Sequence, residues 1–438
     1  MRLLAPAFAA ACLFALPLRA EVPLEELTSP EGTPAWLVEE GSLPFTAIEL
    51  RFEGGTTLDA DETQGAINLM AQLMDQGAGD MDAQEFATAR EDLGMRLSVG
   101  ASRDEVSVSA RFLTENRDES VELLRTALTE PRFDEDAIER ARGQVISSIR
   151  SDLRDPDELA GRAFYEAAFG DHPYGRSGKG TEDSVAALDR DDLLEAHGRA
   201  FGRDRVHVGA AGDIDAETLG AVIDTLLADL PQTGAEDPGA AEIALEGGVE
   251  VVEFDGPQAS IVFGHSGIAR DDDDFITAFV MNQILGGGRF GTRLMTELRE
   301  ERGLTYGVHS RLQPMRHGAL MMGSLSTDPA NVEQVIALVR EEWEKMAAEG
   351  PTDDELDAII TYLTGSFPLQ FDGNAAIARI LADFQMQGLD ADYIAERNEL
   401  VSGVTPEDAR AMAERILDPD GLFFVVAGQP TEDLGAAD

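Results

Sequence analysis

Apolar and polar positions follow two periods along this chain. FTAIELRFEGG, beginning at Phe45, and LSVGASRDEVSVSARF, beginning at Leu97, alternate residue by residue, the pattern of strands. TQGAINLMAQLMDQG, ESVELLRTALTE and DAIERARGQVISSIRSDL repeat their apolar positions every three or four residues and predict amphipathic helices. The second half repeats the theme: VEVVEFDG and QASIVFGHSG read as strands, FITAFVMNQIL and NVEQVIALVREEWEKMAAEG as helices. The mixture predicts an α+β fold, with helices packed on largely antiparallel sheets.

The halves echo each other at a fixed spacing. RVHVGAAGDIDAETL, with Gly212, returns as GLFFVVAGQPTEDL, with Gly428, and the segment around Asp191 returns around Glu407, both 216 residues on. RFDEDAIERARGQVISSI likewise parallels PTDDELDAIITYLTGSF, each an acidic, cap-like start before an amphipathic helix. A duplicated domain is the economical reading, with an N-terminal domain over residues 21–229 and a C-terminal domain over 249–438. Residues 230–248, with Pro231, Gly234, Pro238 and Gly239 among small and acidic residues, read as the linker. Two homologous domains joined in this way can close like a clamshell.

Residues 1–20 have a basic start, an apolar run and a small residue at Ala20, the layout of a cleaved secretory signal peptide. Periplasmic or secreted location is the expectation, with a lipoprotein cut before Cys12 as the alternative. No other stretch is long and apolar enough to span a membrane. Cys12 is the only cysteine, so cleavage would leave no disulfide and no thiolate metal site. It would also remove two arginines, leaving 32 Lys and Arg against 84 Asp and Glu. So acidic a chain is a poor partner for nucleic acid or anionic lipid.

Residues 282–310, NQILGGGRFGTRLMTELREERGLTYGVHS, gather the candidate chemistry. Gly286, Gly288 and Gly291 match GxGxxG, but FITAFVMNQIL before them has helical spacing, whereas a dinucleotide loop must leave a strand. Residues 292–301 read as a helix that stops at Gly303, with a strand from Tyr306. Arg299 and Tyr306, seven residues apart across that turn, are placed to direct a guanidinium and a phenol into one cleft, where they can grip a peptide carbonyl or an oxyanion. Gly286, Gly287 and Gly288 read as a helix stop or as a mobile lip of that cleft. The order helix, LGGG, RL, LRxxxGLxY resembles the C-terminal half of pitrilysin/insulinase-type zinc peptidases, the inverzincins. The resemblance implies that Arg299 and Tyr306 face a zinc site on the opposite half of a clamshell and help hold the substrate carbonyl.

An active inverzincin carries HxxEH on the first long helix of its first half, two histidines for zinc and a glutamate as base. Aligned on Gly65, that motif falls on NLMAQ: Asn68 and Gln72 stand where the histidines belong and Ala71 where the base belongs. The family's third ligand, a glutamate, falls on Ser148 in RGQVISSI. Amides are poor zinc ligands, alanine takes no proton and serine is no carboxylate. No HxxEH occurs anywhere in the 438 residues.

The other candidates are weaker. Among His172, His197, His207, His265, His309 and His317 no pair has helical i, i+4 spacing; His265 and His309, on predicted strands, are the two that sheet pairing can bring together. His172, beside Pro173 and Gly175, reads as part of a turn. Residues 271–274, four aspartates, read as a solvated helix start rather than a cation site. HSG at 265–267 lacks the second glycine of a serine-hydrolase elbow. The expectation is therefore a non-catalytic subunit of an exported heteromeric zinc metallopeptidase. It binds no metal or cofactor itself, while zinc sits on a homologous HxxEH-bearing partner and a peptide substrate lies between them. A stand-alone peptide-binding or scaffold protein of the same fold and an independently active metallopeptidase are the alternatives.

Overall fold

The computed structural model describes residues 23–431; the signal-like segment 1–20, with Cys12, lies outside the described residues. Six strands form the first sheet: β1 (Leu24–Thr28), β2 (Pro34–Glu39), β3 (Phe45–Glu53), β4 (Arg96–Ala101), β5 (Glu105–Leu113) and β6 (Val206–Gly212), in the order β1-β2-β6-β3-β5-β4. Five form the second: β7 (Gly248–Glu253), β8 (Ala259–Ser266), β9 (Thr305–Met315), β10 (Gly318–Thr327) and β11 (Phe423–Gly428), in the order β7-β11-β8-β10-β9. Neighbours are antiparallel except β2 with β6 and β7 with β11. Without β1 the two orders superpose strand for strand, and Gly212 and Gly428 end equivalent strands, so the 216-residue echo is a repeat of topology.

The strands follow their sequences in two ways. In β5, Val106, Val108, Ala110 and Phe112 are buried while the residues between them are half-exposed, as the alternation predicts. β3 departs from that pattern. From Thr46 to Phe52 every residue is buried, including Glu49 and Arg51. Both of its faces are covered. One packs on helices of its own half; the other receives the helix Asn374–Met386 from the second half, whose Ile377, Ala378 and Leu381 meet Trp36, Val38, Ala47 and Ala211.

The exchange is reciprocal. The helix Pro156–Phe169 of the first half packs on β8 and β11, placing Ala160, Phe164 and Ala168 against Val262, Val425 and Ala427. Close approach requires glycine in the sheet: a Cβ at Gly209 would stand 2.2 Å from the Ala378 carbonyl oxygen. Gln385 then closes the contact by donating Nε2 to the Val208 carbonyl at 2.8 Å.

Polar ties join the halves as well. Arg316, at the tip of the β9–β10 hairpin, pairs with Glu53 at 2.7 Å and with Asp237 at 3.0 Å, and its backbone N–H donates to Asp104. Between Leu227 and Gly248 the chain has no helix or strand, yet it is laid against both halves. Ala241 N–H donates to the His317 carbonyl at 2.6 Å and Ala244 N–H to that of Ala168 at 2.9 Å. The matching helix starts differ in detail. Thr352 forms a reciprocal capping box with Glu355, whereas the Asp134 side chain makes no capping bond and pairs with Arg132 at 2.8 Å. Among the described residues no helix is long and apolar enough to cross a membrane.

Candidate functional site

The helix Ala66–Leu73 carries the positions where a zinc motif would fall. Its start is fixed by Asp59, which accepts from Gly65 N–H at 2.8 Å and Ile67 N–H at 2.9 Å. Burial pushes the Asp59 carboxyl up to about 7, against the pull of those two donors. Gly65 has a φ of 91°, and a Cβ there would meet the Lys179 carbonyl oxygen at 2.5 Å, so the loop 177–180 is pressed onto the helix start. That loop delivers the Lys179 ammonium 3.0 Å from the Ser148 hydroxyl and 2.7 Å from Asp152 Oδ2, both on the helix Glu135–Asp152.

Asn68 and Lys179 line one cavity of 380 Å³; Ser148 touches it through Lys179. Ala71 is buried, and Gln72 is exposed and does not line the cavity. The arrangement does not fit zinc. An ammonium stands beside the third-ligand position, its carboxylate neighbour Asp152 is committed to it, and the Asn68 amide offers little to a metal. Among the described residues no group of three or more His, Cys, Asp or Glu is placed to hold a metal ion.

Arg299 and Tyr306 flank a turn, as expected, but the helix before it is not α throughout: Met295–Glu301 is π-helical. Helix-forming composition cannot distinguish an i→i+5 turn from an i→i+4 one, and such wide turns are frequent at functional positions. Tyr306 is 86% exposed at the start of β9. The Arg299 guanidinium lies over the Phe290 ring, 4.6 Å from its centroid, and among the described residues it makes no ion pair. The nearby carboxylates, Glu297 and Glu301, pair with Arg302 instead.

Two buried residues that sequence reasoning passed over hold this corner. Ser310 Oγ donates to Asn282 Oδ1 at 2.7 Å, and Asn282 Nδ2 donates to the Ser310 carbonyl at 3.2 Å. The signal available was a polar residue on the apolar helix Phe275–Leu285 and a serine ending the motif. Ser310 N–H also donates to the Gly286 carbonyl at 2.6 Å, and a Cβ on Gly286 would stand 2.3 Å from Ser310 Oγ. Gly286 is thus needed for packing, and Gly287 is crowded by the Gln283 side chain. Gly288, at φ 77°, lines a second cavity of 430 Å³ with His309, Ser324 and Asp157. Both cavities reach the start of the helix Pro156–Phe169, where Glu158 lines the first and Asp157 the second.

The histidines are apart. His265 pairs in register with Met321 of β10 and His309 with Ser324, three residues along, so the two lie on opposite faces of the sheet. His265 is buried, takes a hydrogen bond from Trp343 Nε1 at 3.0 Å and gives one from Nδ1 to the Ser266 carbonyl at 2.6 Å. His172 caps the turn Pro173–Gly175, accepting from Tyr174 N–H at 3.2 Å. Asp272 and Asp274 of the acidic run are paired with Arg415 at 2.5 and 2.6 Å.

Fold and site define a duplicated α+β chain of metallopeptidase architecture in which Lys179 stands beside Ser148, the residue where a third metal ligand would fall. Residues 37–182 match the model of the insulinase domain (peptidase family M16), and residues 187–363 that of the peptidase M16 inactive domain. The chain belongs to the M16, or insulinase, peptidase family, as the residues of 282–310 led one to expect. It is 29% identical to the non-peptidase homolog YmxG of Helicobacter pylori, over 76% of this chain and 77% of that protein. It is 27% identical to an uncharacterized zinc protease of Streptomyces coelicolor, over 86% of this chain and 84% of that one. The crystal structure of a peptidase M16 inactive domain from Pseudomonas fluorescens superposes with a TM-score of 0.87 at 29% identity, covering 94% of this chain and 99% of that one. A chain of complex III2 from Candida albicans superposes at 0.74 with 14% identity, over 94% of this chain and 97% of that one, a likeness of fold alone.

Proposed function

We propose that this chain is the non-catalytic subunit of an exported, two-chain zinc metallopeptidase. A homologous chain bearing HxxEH supplies the zinc and the general base, and this chain completes the peptide cleft with Arg299 and Tyr306. The observation that carries the reading is the asymmetry between the two ends of the molecule. The metal-motif end has Lys179 against Ser148, whereas Arg299 makes no ion pair among the described residues, Tyr306 is open to solvent, and Asn282 and Ser310 tie the preceding helix to the strand that carries Tyr306. A phenol 86% exposed contributes little to folding, so its presence across one turn from an arginine without an ion pair favours a role toward a bound molecule. Export rests on the signal-like residues 1–20. A stand-alone peptide-binding protein of the same fold shares the open cleft; it leaves the Arg299 and Tyr306 pair without a charge to stabilise.

The test is reconstitution. The chain from Glu21 onward, alone, holds no stoichiometric zinc and cleaves no peptide; affinity capture from native extracts returns a similarly sized HxxEH chain. In the reconstituted pair, Arg299→Ala and Tyr306→Phe each lower turnover by roughly 10²-fold, the scale of one lost oxyanion donor, while assembly and the partner's zinc content are unchanged. Glu300→Ala is the surface control. Full turnover of both variants in an intact complex overturns the shared cleft, and one tight zinc with chelator-sensitive turnover in this chain alone overturns the non-catalytic assignment.

A further inference from the structure

The cavity beside the degenerate motif has a charge opposite to that of the molecule. The chain as a whole carries a formal charge of −50, yet Arg103, Arg162, Arg176 and Lys179 line this cavity against two carboxylates, Asp152 and Glu158. Lys179 is committed to Asp152 at 2.7 Å and Arg176 to Asp61 at 2.6 Å. Arg103 and Arg162 have no ion pair among the described residues. The Arg103 guanidinium lies over the Tyr165 ring, 4.0 Å from the centroid, a cation–π contact that restrains its donor fork.

Two donors in the same walls have no acceptor in the protein. Asn68 Nδ2 and Arg103 Nε are both buried and unpartnered. A buried donor without an acceptor is costly, and two of them in the walls of one cavity that a guanidinium and an ammonium also line ask for an acceptor-only group of negative charge. A carboxylate has that chemistry: two oxygens, four lone-pair directions and a plane that matches the arginine fork. The volume of 380 Å³ accommodates a residue or two of peptide around it.

We propose that this cavity binds a carboxylate of a peptide, with Arg103 and Asn68 as its hydrogen-bond donors and Lys179 and Arg162 supplying charge. The pocket replaces a metal-centred grip on peptide with a cationic one, and it rests on the reading of this chain as a peptide-binding partner. The carboxylate is either a C-terminus or an acidic side chain; both present the same oxygens. In a chain this acidic the local cations confer selectivity, because the net charge of the molecule as a whole disfavours an acidic peptide.

The test uses this chain alone, from Glu21 onward, so that its outcome is separate from that of the shared catalytic cleft. Anisotropy is measured with three labelled octapeptides of one sequence: a central glutamate with an amidated end, a central glutamine with a free carboxylate, and a central glutamine with an amidated end. At least one acid-bearing peptide binds, whichever it is naming the source of the carboxylate, and the neutral peptide binds at least about tenfold more weakly. Arg103→Gln and Lys179→Met each weaken the acidic peptide by about tenfold or more, and Lys345→Met, at the other of the two lysines, leaves it unchanged. Arg162→Gln, on an exposed side chain, is read in place of Lys179→Met if that variant does not fold. Equal binding of all three peptides, no binding of any, or inorganic phosphate binding as tightly as the acidic peptide overturns the proposal.

Discussion

Asn282 and Ser310 exchange two hydrogen bonds, at 2.7 and 3.2 Å, between the last full turn of an apolar helix and the middle of β9, with both residues almost fully buried. The pair fixes the distance from the glycine loop to the strand that begins near Tyr306. Asn282→Ala leaves the Ser310 hydroxyl buried without its acceptor and removes a donor from the Ser310 carbonyl. Stability falls by about 2–3 kcal/mol, the cost of an unsatisfied buried polar pair, and urea denaturation measures it. A loss under about 0.5 kcal/mol would mean that the pair braces nothing.

Gly209→Ala tests the exchange of helices between the halves. Its Cβ meets the Ala378 carbonyl oxygen at 2.2 Å and the Ala382 nitrogen at 2.8 Å, both backbone, so the helix Asn374–Met386 has to lift from the first sheet. A loss of about 2 kcal/mol or more follows from that overpacking. Gly143→Ala, in an exposed helical position with nothing within 4 Å, stabilises by about 0.5–1 kcal/mol. Thermal unfolding of the two variants side by side gives shifts of opposite sign; shifts of the same sign contradict the account.

Glu355 ties stability to acid pH. Burial pushes its carboxyl up, but two 2.8 Å hydrogen bonds from Arg293 and the cap at Thr352 outweigh burial and hold it down at about 2. A carboxyl with a lower pKa folded than unfolded binds fewer protons in the folded chain. Its contribution is therefore complete above the unfolded value of about 4.3 and is lost as pH falls from there toward 2. Solvent reaches 29% of the side chain, so screening reduces the contribution to about 1–2 kcal/mol. Glu355→Gln flattens the acid limb of the stability profile between pH 4.5 and 2.5 relative to the parent; parallel profiles would remove the pair from the account.

His265 titrates with the opposite group chemistry. Burial pushes its pKa down, and its ring is fixed as a neutral tautomer between Trp343 and the Ser266 carbonyl. The unfolded chain takes up the proton first, so the stability tied to this ring is complete above about pH 6.5 and declines as pH falls toward the lowered folded value. Ring nitrogen NMR at pH 5.5 finds His265 neutral in the folded protein. A protonated ring at that pH contradicts the Trp343 hydrogen bond.

The periodic elements and the internal repeat were legible in the sequence. Local physics sets these: the alternation of β5, the helix face of residues 66–73 and the Gly212 to Gly428 echo are written in residues near one another in the chain. The residue types at Asn68, Ala71, Gln72 and Ser148 were legible too, and two amides, an alanine and a serine offer a metal ion little. The exchange of Pro156–Phe169 for Asn374–Met386 was not legible, since an amphipathic helix records that it has an apolar face and not which sheet receives it. Nor was the separation of His265 from His309, which depends on a three-residue offset in register across β10. Only the tertiary structure carries Lys179 to Ser148 and gathers Arg103 and Asn68 around the same cavity. Those residues are far apart along the chain, and charge composition averages away a local reversal of sign that folding creates.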